Sequence, residues 1–309
     1  MDQKPRIALL CGGRFAYPTI QLLGFEKYLC GVATGKAEKT VVESLEAGLS
    51  PSAIPYINIR SRHEEGKLTD WLKELKADAV FSVCFPFRLS NEVLSIHPQR
   101  FINFHTGPLP AYRGAMPIFE VIRARETASA ISVHLMNEHF DKGDMLFSES
   151  VPVLPEDTFG NLATRLSDRC ALAALNTAQM LEFSTSLISS PQDENEARYY
   201  AYPGLTDTII RWDYMCADEI DALVRACNPW NQGADTTLMG KPVKIMATSY
   251  ADEAHQAAPG TILEITHSHL KAACIDNQVL YIYILSDETG ITTISSRASK
   301  IKPGFRFSA

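Results

Sequence analysis

Cysteine is sparse in this chain and nothing in its spacing suggests pairing. Cys11, Cys30, Cys84, Cys170, Cys216, Cys227 and Cys274 are odd in number, lie far apart and include no Cys-x-x-Cys pair. A disulfide framework or zinc knuckle has no support, and free thiols of a reducing compartment are expected. No run of about 18 apolar residues occurs, so no membrane span is expected. The apolar stretch Ile7 to Leu10, behind the polar Met1 to Pro5, is too short for a signal-peptide core, and no small-residue cleavage pattern follows it. The expected location is the cytoplasm. Basic residues are not in excess: 29 Lys and Arg stand against 36 Asp and Glu, a formal net charge of −7. That balance supplies no sequence-wide attraction for a nucleic acid. Repeats and low-complexity tracts are absent. Gly-x-Gly-x-x-Gly is absent too; Gly12-Gly13 continues as Gly-Gly-x-Phe with no ribose-binding acid in place, which argues against a dinucleotide site.

What remains is an ordinary globular composition, 46% hydrophobic and 21% charged over 309 residues, enough for one large or two ordinary domains. In the first half, short apolar runs alternate with helical periodicity. Strands are expected at Arg6–Cys11, Tyr28–Ala33, Tyr56–Ile59, Ala79–Phe85 and Phe101–His105. Helices are expected at Tyr17–Tyr28, Val41–Gly48 and Glu64–Lys76, the last with Leu68, Trp71, Leu72 and Leu75 on one face. This alternation predicts an α/β fold with a mostly parallel sheet. A strand at Ser132–Met136 and an extended segment at Met145–Val153 precede a long helix, Thr158–Phe183. Ser184–Arg198 changes composition and reads as a linker continuing through Tyr199–Pro203. The boundaries expected are therefore a first domain over 1–190, a linker over 191–205 and a second domain over 206–309. In the last part a helix at Ala217–Cys227 stops at Asn228-Pro229. Short strands follow at Val243–Met246, Gly260–Ile265, Ala272–Ile275 and Val279–Leu285, the pattern of a small β-barrel-like domain.

The most informative segment is FINFHTGPLPAYRGAMP, Phe101 to Pro117. Asn103 and His105 are two apart on a strand and so share a face. They stand at the C-terminal end of a buried parallel strand, where open α/β sheets place ligands. Arg113-Gly114 follows on the loop; Arg113 either binds an anionic part of a substrate or ties its loop down. A second polar cluster runs from His134 to His139-Phe140-Asp141-Lys142-Gly143-Asp144. A carboxylate at Asp141, in a turn context, can orient a strand-end histidine and raise its pKa. His139 and Asp144 are read as structural. His267 and His269 share a strand face but have no third ligand, so no metal site is assigned.

Asn-x-His, Pro-Leu-Pro-x-Tyr-Arg-Gly and a later Asp-x-Gly together resemble the formyltransferases that use 10-formyltetrahydrofolate, a family that includes methionyl-tRNA formyltransferase and the amino-sugar N-formyltransferases. The resemblance extends over nearly the whole chain, through Phe15-Ala16-x-Pro18 at the start and Asn228-Pro229-Trp230, Gly233-Ala234 and Gly240-Lys241 near the end. It implies a Rossmann-like catalytic domain, a smaller C-terminal domain of the open-barrel (OB-like) type, and a catalytic triad of Asn103, His105 and Asp141. It also implies a donor site for 10-formyltetrahydrofolate at Phe85, Phe87, Arg88, Leu89, Glu138, His139 and Phe140, held largely by backbone groups. The acceptor side falls to Thr106, Gly107, Tyr112 and Arg113, and no metal is required. One departure concerns the loop after the histidine. The family's usual Ser-Leu-Leu-Pro is Gly107-Pro108-Leu109-Pro110 here, and Thr106 stands next to the histidine.

The chemistry suits these residue types. Attack of a neutral amine on the formyl carbon creates an oxyanion, which Asn103 and His105 can hydrogen-bond, each donor contributing roughly 3–4 kcal/mol in comparable sites. His105 paired to Asp141 can move the proton lost by the amine or gained by the departing folate nitrogen. For the acceptor, the segment Gly35–Tyr56 carries only Lys36 and Lys39 against Glu38, Glu43 and Glu46, and Lys241, Lys244, Lys271, Lys300, Lys302 and Arg306 are dispersed. So weak a basic footprint favours a small amine, such as a nucleotide-linked amino sugar or a hydroxyornithine-like amine, with initiator tRNA as the alternative. A formyl-folate hydrolase and a non-catalytic binding module are further readings. A homodimer through the C-terminal domain is compatible with the sequence.

Overall fold

The fold, taken from a computed structural model, is described for residues 4–184, 187–296 and 301–309. Lys300, Met1 to Gln3, and Thr185 and Ser186 of the expected linker lie outside the described residues. Chain contacts divide the protein into two compact units. The first comprises residues 1–117, 128–152 and 163–200, and the second residues 118–127, 153–162 and 201–309. Among the described residues no helix is long and apolar enough to cross a membrane.

The first unit is built on β1 (Ile7–Cys11), α1 (Tyr17–Phe25), β2 (Leu29–Gly35), α2 (Lys39–Leu49), β3 (Tyr56–Ile59), α3 (Glu65–Leu75), β4 (Ala79–Val83), α4 (Asn91–Leu94) and β5 (Phe101–His105). It continues with a two-residue strand β6 (Arg113–Gly114), then β7 (Ala128–Leu135) and β8 (Met145–Pro152). The sheet order is β3-β2-β1-β4-β5-β7-β8; β1 to β5 run parallel, and β7 and β8 are antiparallel additions at one edge. β1 and β4 are buried at every residue, as central strands covered on both faces must be, and read as unbroken apolar runs for that reason. On α3, Leu68, Trp71, Leu72 and Leu75 are buried, each contributing about 1.5–3 kcal/mol. The helix approaches β2 closely because Gly31 has no side chain: a Cβ there would lie 2.5 Å from Leu75 Cδ1 and 2.8 Å from Trp71 Cζ2.

α5 (Pro117–Arg123) and the start of α6 (Phe159–Phe183) link the two units along the chain. The second unit contains α7 (Leu205–Thr208), α8 (Ala217–Ala226) and an antiparallel, open-barrel sheet. Its strands are β10 (Ala234–Leu238), β11 (Lys241–Asp252), β12 (Ile262–Ile265), β13 (Leu270–Ala273), β14 (Gln278–Asp287), β15 (Gly290–Thr293) and β16 (Phe307–Ser308); β9 (Tyr199–Tyr200) belongs to the first unit. The sheet order is β12-β13-β14-β11-β10-β16, with β15 on β14. The fold class expected from the sequence is therefore observed, a Rossmann-like unit with a smaller β unit. α8 buries Ile220, Leu223 and Val224. Trp212 stacks on Phe307 at 5.2 Å and donates its indole N–H to Thr236 Oγ1 at 2.9 Å.

Candidate active site

β5 ends the parallel part of the sheet, and its neighbour on the open side is β7. Their antiparallel register sets Asn103 opposite His134 and His105 opposite Ser132. Four polar side chains of alternating residues thus share one face of a two-strand ribbon. Asn103 Nδ2 lies 3.0 Å from His134 Nε2, and His134 Nδ1 lies 2.8 Å from the Leu135 carbonyl oxygen. The carbonyl can only accept, so Nδ1 carries the proton and Nε2 accepts from Asn103. One N–H of the Asn103 amide remains for a substrate. The Ser132 hydroxyl donates to the Gly107 carbonyl at 2.8 Å and accepts the Leu109 N–H at 3.1 Å, fixing the Gly-Pro-Leu-Pro loop. Gly107 fits because it is glycine: a Cβ would lie 2.6 Å from Pro117 Cβ.

Asp141 closes the site from the turn after β7. Its backbone is left-handed, with φ of 56°, a conformation aspartate tolerates better than most residues. Gly143 allows the turn to fold back on β7, since a Cβ there would lie 1.6 Å from the Leu135 carbonyl oxygen. Asp141 Oδ1 faces His105 Nδ1 at 3.3 Å and His134 Nε2 at 3.8 Å, while Oδ2 accepts the Gly114 N–H at 3.0 Å. The other ring nitrogen of His105, Nε2, donates to the Tyr112 carbonyl at 2.7 Å.

The electrostatics follow from that enclosure. His105 is only 6% exposed. Burial works against its imidazolium form, but the Asp141 charge, the bond to Asp141 and the Tyr112 carbonyl outweigh it and raise its pKa above the ordinary 6.5. Burial likewise works against the Asp141 carboxylate, yet the charge of His105 and the bond to it hold its pKa well below the ordinary range. Both ring nitrogens of His105 point at acceptors, and only the doubly protonated ring can donate to both.

The structure brings the three predicted catalytic residues, Asn103, His105 and Asp141, onto one locus. It adds His134, which touches both Asn103 and Asp141. The sequence reading noted His134 in a polar cluster but gave it no part, because only the β5–β7 register shows what it opposes. Arg113 is 2% exposed, and its guanidinium is taken up by Gln192 and Glu194. The structure thus places it where it ties down its loop. Thr106 and Tyr112 are buried, and the Tyr112 ring stacks on Tyr200 at 5.6 Å.

The residues expected to hold the donor lie in two segments. Phe85 and Leu89 are buried in the core cluster with Leu68, Trp71 and Leu72. Phe87 meets Phe85 edge-on at 5.6 Å, and Arg88 is exposed. The space enclosed by this segment and Ile59, Ser61, Arg62, Glu65 and Leu68 is about 10 Å³, too small for a ring. Across from it, Glu138 accepts from Asn91 Nδ2 at 2.8 Å, the His139 N–H donates to Asn137 Oδ1 at 2.9 Å, and Phe140 is 42% exposed.

Comparison with known proteins agrees with this geometry. Residues 20–176 match the formyl transferase family, and residues 205–296 match the formyl transferase C-terminal domain. The chain is 29% identical over 297 residues to a methionyl-tRNA formyltransferase of Acetivibrio thermocellus, covering 94% of each chain. It is 32% identical over 250 residues to the methionyl-tRNA formyltransferase of Heliobacterium modesticaldum, covering 76% of this chain and 77% of the relative. Among solved structures, WlaRD, a sugar 3N-formyl transferase in the presence of dTDP and 5-N-formyl-THF, superposes with a TM-score of 0.69 at 16% identity over 91% of this chain and 97% of that one. An N-formyltransferase from Helicobacter canadensis in complex with folinic acid and dTDP-3-aminofucose gives a TM-score of 0.66 at 14% identity, over 90% and 98%. The paired strand-end histidine and turn aspartate, the two-unit fold and the matches to both domains lead to one conclusion: this chain belongs to the formyl transferase family.

Proposed function

We propose that this enzyme moves a formyl group from 10-formyltetrahydrofolate to the amine of a small acceptor, with Asn103, His105 and Asp141 as its catalytic residues. In this reading the free N–H of Asn103 and the Nε2–H of His105 meet the oxyanion formed as the amine attacks. His105 Nε2 must then release the Tyr112 carbonyl, so the loop that carries Tyr112 belongs to the catalytic geometry. His105, whose charged form Asp141 stabilises, gives its Nε2 proton to the departing folate nitrogen as the C–N bond breaks, and the neutral ring then takes the proton the amine must lose. The donor lies against the segment Phe85 to Leu89 and the turn Glu138 to Phe140, with its formyl carbon at Asn103 and His105. The structural neighbours named for folate ligands support this donor.

The observation that carries the small acceptor is that most described cations of the second unit are already paired, Arg211, Lys241 and Lys302 being the exceptions. Arg125 pairs with Asp218 and Glu219, Arg225 with Asp221, Lys244 with Asp235, Lys271 with Glu253 and Glu264, and Arg306 with Asp213. A surface that grips phosphates needs cations that are not already neutralised. In the first unit the segment after β2 folds as α2, where Lys39 pairs with Glu43. The second reading is formylation of initiator methionyl-tRNA, favoured by the likeness to methionyl-tRNA formyltransferases along 94% of the chain.

Folate release followed by absorbance, with a nucleotide amino sugar, hydroxyornithine and charged initiator tRNA offered separately, decides between them. Turnover with a small amine and none with tRNA is expected. Turnover with the tRNA alone overturns the small-acceptor reading. His105→Ala is expected to lose at least about a hundredfold in kcat, and retained activity would sink the assigned chemistry.

A further inference from the structure

Residues 190–200, expected as a linker, form a strap over the outside of the site. Ser190 bridges Met145 through two backbone hydrogen bonds of 2.8 and 2.9 Å. Farther along, the Arg113 N–H donates to the Arg198 carbonyl at 3.1 Å, the Arg198 N–H to the Pro110 carbonyl at 3.2 Å, and Tyr199–Tyr200 pairs with Arg113–Gly114. The strap therefore holds both loops that face His105, the one carrying Tyr112 and the one carrying Asp141. Between these ends lies Gln192, half-buried. Its Nε2 donates to the carbonyls of Asp141 and Gly143, both at 2.8 Å. Its Oε1 accepts from Arg113 Nε at 3.1 Å and Nη2 at 2.8 Å. Arg113 in turn forks onto Glu194, with bonds of 3.0 and 2.7 Å.

We infer that Gln192 is a positioning residue for formyl transfer: its carboxamide, oriented by the Arg113 guanidinium, holds the left-handed Asp141 backbone and so keeps the carboxylate on His105. Each link is a direct contact. A carboxamide offers two N–H donors and one acceptor oxygen, and here every one is used in a single orientation. Arg113 can only donate, so it decides which end of the amide faces it and turns the NH2 group toward the Asp141 and Gly143 carbonyls. The αL backbone of Asp141 is uncommon for a residue with a side chain, though aspartate adopts it more readily than most, and here its turn is held by contacts from the strap. Two carbonyls of that turn are gripped by one side chain, and Oδ2 is gripped by the Gly114 N–H, from the residue next to Arg113. Thus Arg113 and Gln192 set the turn from outside while His105 reads it from inside. The inference rests on the assignment of His105 and Asp141 to the chemistry and is independent of the acceptor.

The test is Gln192→Glu, which keeps the shape and the acceptor for Arg113 but sets an oxygen against two carbonyls, with Gln192→Ala as a second variant. Other charged or titratable groups near the pair are His134 on β7, Cys84 after β4, and Lys142, Arg113 and Glu194 at the strap; none is altered. Expected is a fall in kcat of about tenfold to a hundredfold with KM for folate within about threefold. The alkaline limb of the kcat profile should also move to lower pH in the variant that folds, as His105 loses its partner. Limbs that coincide with the wild type in a folded variant, whatever the kcat, reduce Gln192 to a stabilising residue and overturn the inference. Full activity in either variant does the same. Because His105→Ala tests the chemistry itself, an inactive His105→Ala beside an unmoved limb in Gln192→Glu refutes this inference alone.

Discussion

Asparagine in place of Asp141 removes the charge of the proposed catalytic pair and almost nothing else. In the native turn Oδ2 accepts the Gly114 N–H and Oδ1 faces His105 Nδ1 at 3.3 Å. An asparagine that keeps its oxygen on Gly114 presents its NH2 to His105, and Nδ1 must then accept. Nε2 still donates to the Tyr112 carbonyl. The substitution therefore fixes the ring in its neutral form. At 3.3 Å the lost attraction is about 5 kcal/mol for an effective dielectric of about 20, and in the native protein burial of the two ions offsets part of it. Loss of a positioned acid–base group typically costs about 10²–10⁴-fold. We expect kcat for Asp141→Asn to fall by about a hundredfold or more at neutral pH. The alkaline limb, expected in the native enzyme to follow the raised pKa of His105, should shift to lower pH. The assay is folate absorbance at saturating acceptor from about pH 5 to about pH 9, with the His105 ring protons followed by NMR over the same range. A kcat within about threefold of native, or an alkaline limb that stays in place, refutes the coupling of the two residues.

Stability should carry the same signature. The contribution of Asp141 is present above its ordinary 3.8 and lost as pH falls through its depressed folded value. That of His105 is full below its ordinary 6.5 and lost as pH rises through its raised folded value. The difference in unfolding free energy between native protein and His105→Gln should therefore be largest between pH 3.8 and 6.5, and a difference that is flat across a pH series of urea melts contradicts the pairing. Gly143→Ala, with its Cβ 1.6 Å from the Leu135 carbonyl oxygen, should cost at least about 3 kcal/mol in the same melts. Gly107→Ser drives a Cβ to 2.6 Å from Pro117 Cβ; a loss of about 1–3 kcal/mol is expected, and a neutral result means the loop moves freely.

Much of the first unit was legible because its signals are local. β1, β3, α3 and β5 fall within a residue of their expected bounds, since a buried parallel strand is a short apolar run and a half-buried helix carries a 3.6-residue stripe. α5, β10 and β16 were not read. β10 and β16 take their pairing from partners remote in the chain, and α5 has too few residues to display a period. Within the site, Asn103, His105 and Asp141 were accessible from strand alternation and motif. His134 and Ser132 were not, because a shift of one residue between β5 and β7 would turn them to the other face. Gln192 and Glu194 were hidden still further. They sit in a polar stretch whose composition is that of a solvated linker, and nothing local distinguishes a glutamine that bonds two remote carbonyls from one that bonds water.

By itself, then, the amino-acid sequence determined the class of fold and, through its resemblance, the family, and it marked the three side chains proposed for the chemistry, since these reside in periodicity and in short, rigidly spaced motifs. The tertiary structure alone decided which groups hold those side chains: His134 opposite Asn103, the Tyr112 carbonyl on His105, and the strap that clamps Asp141 from outside. Those contacts join residues 7 to 81 positions apart in the chain, and only the closing of the sheet brings them within hydrogen-bond reach.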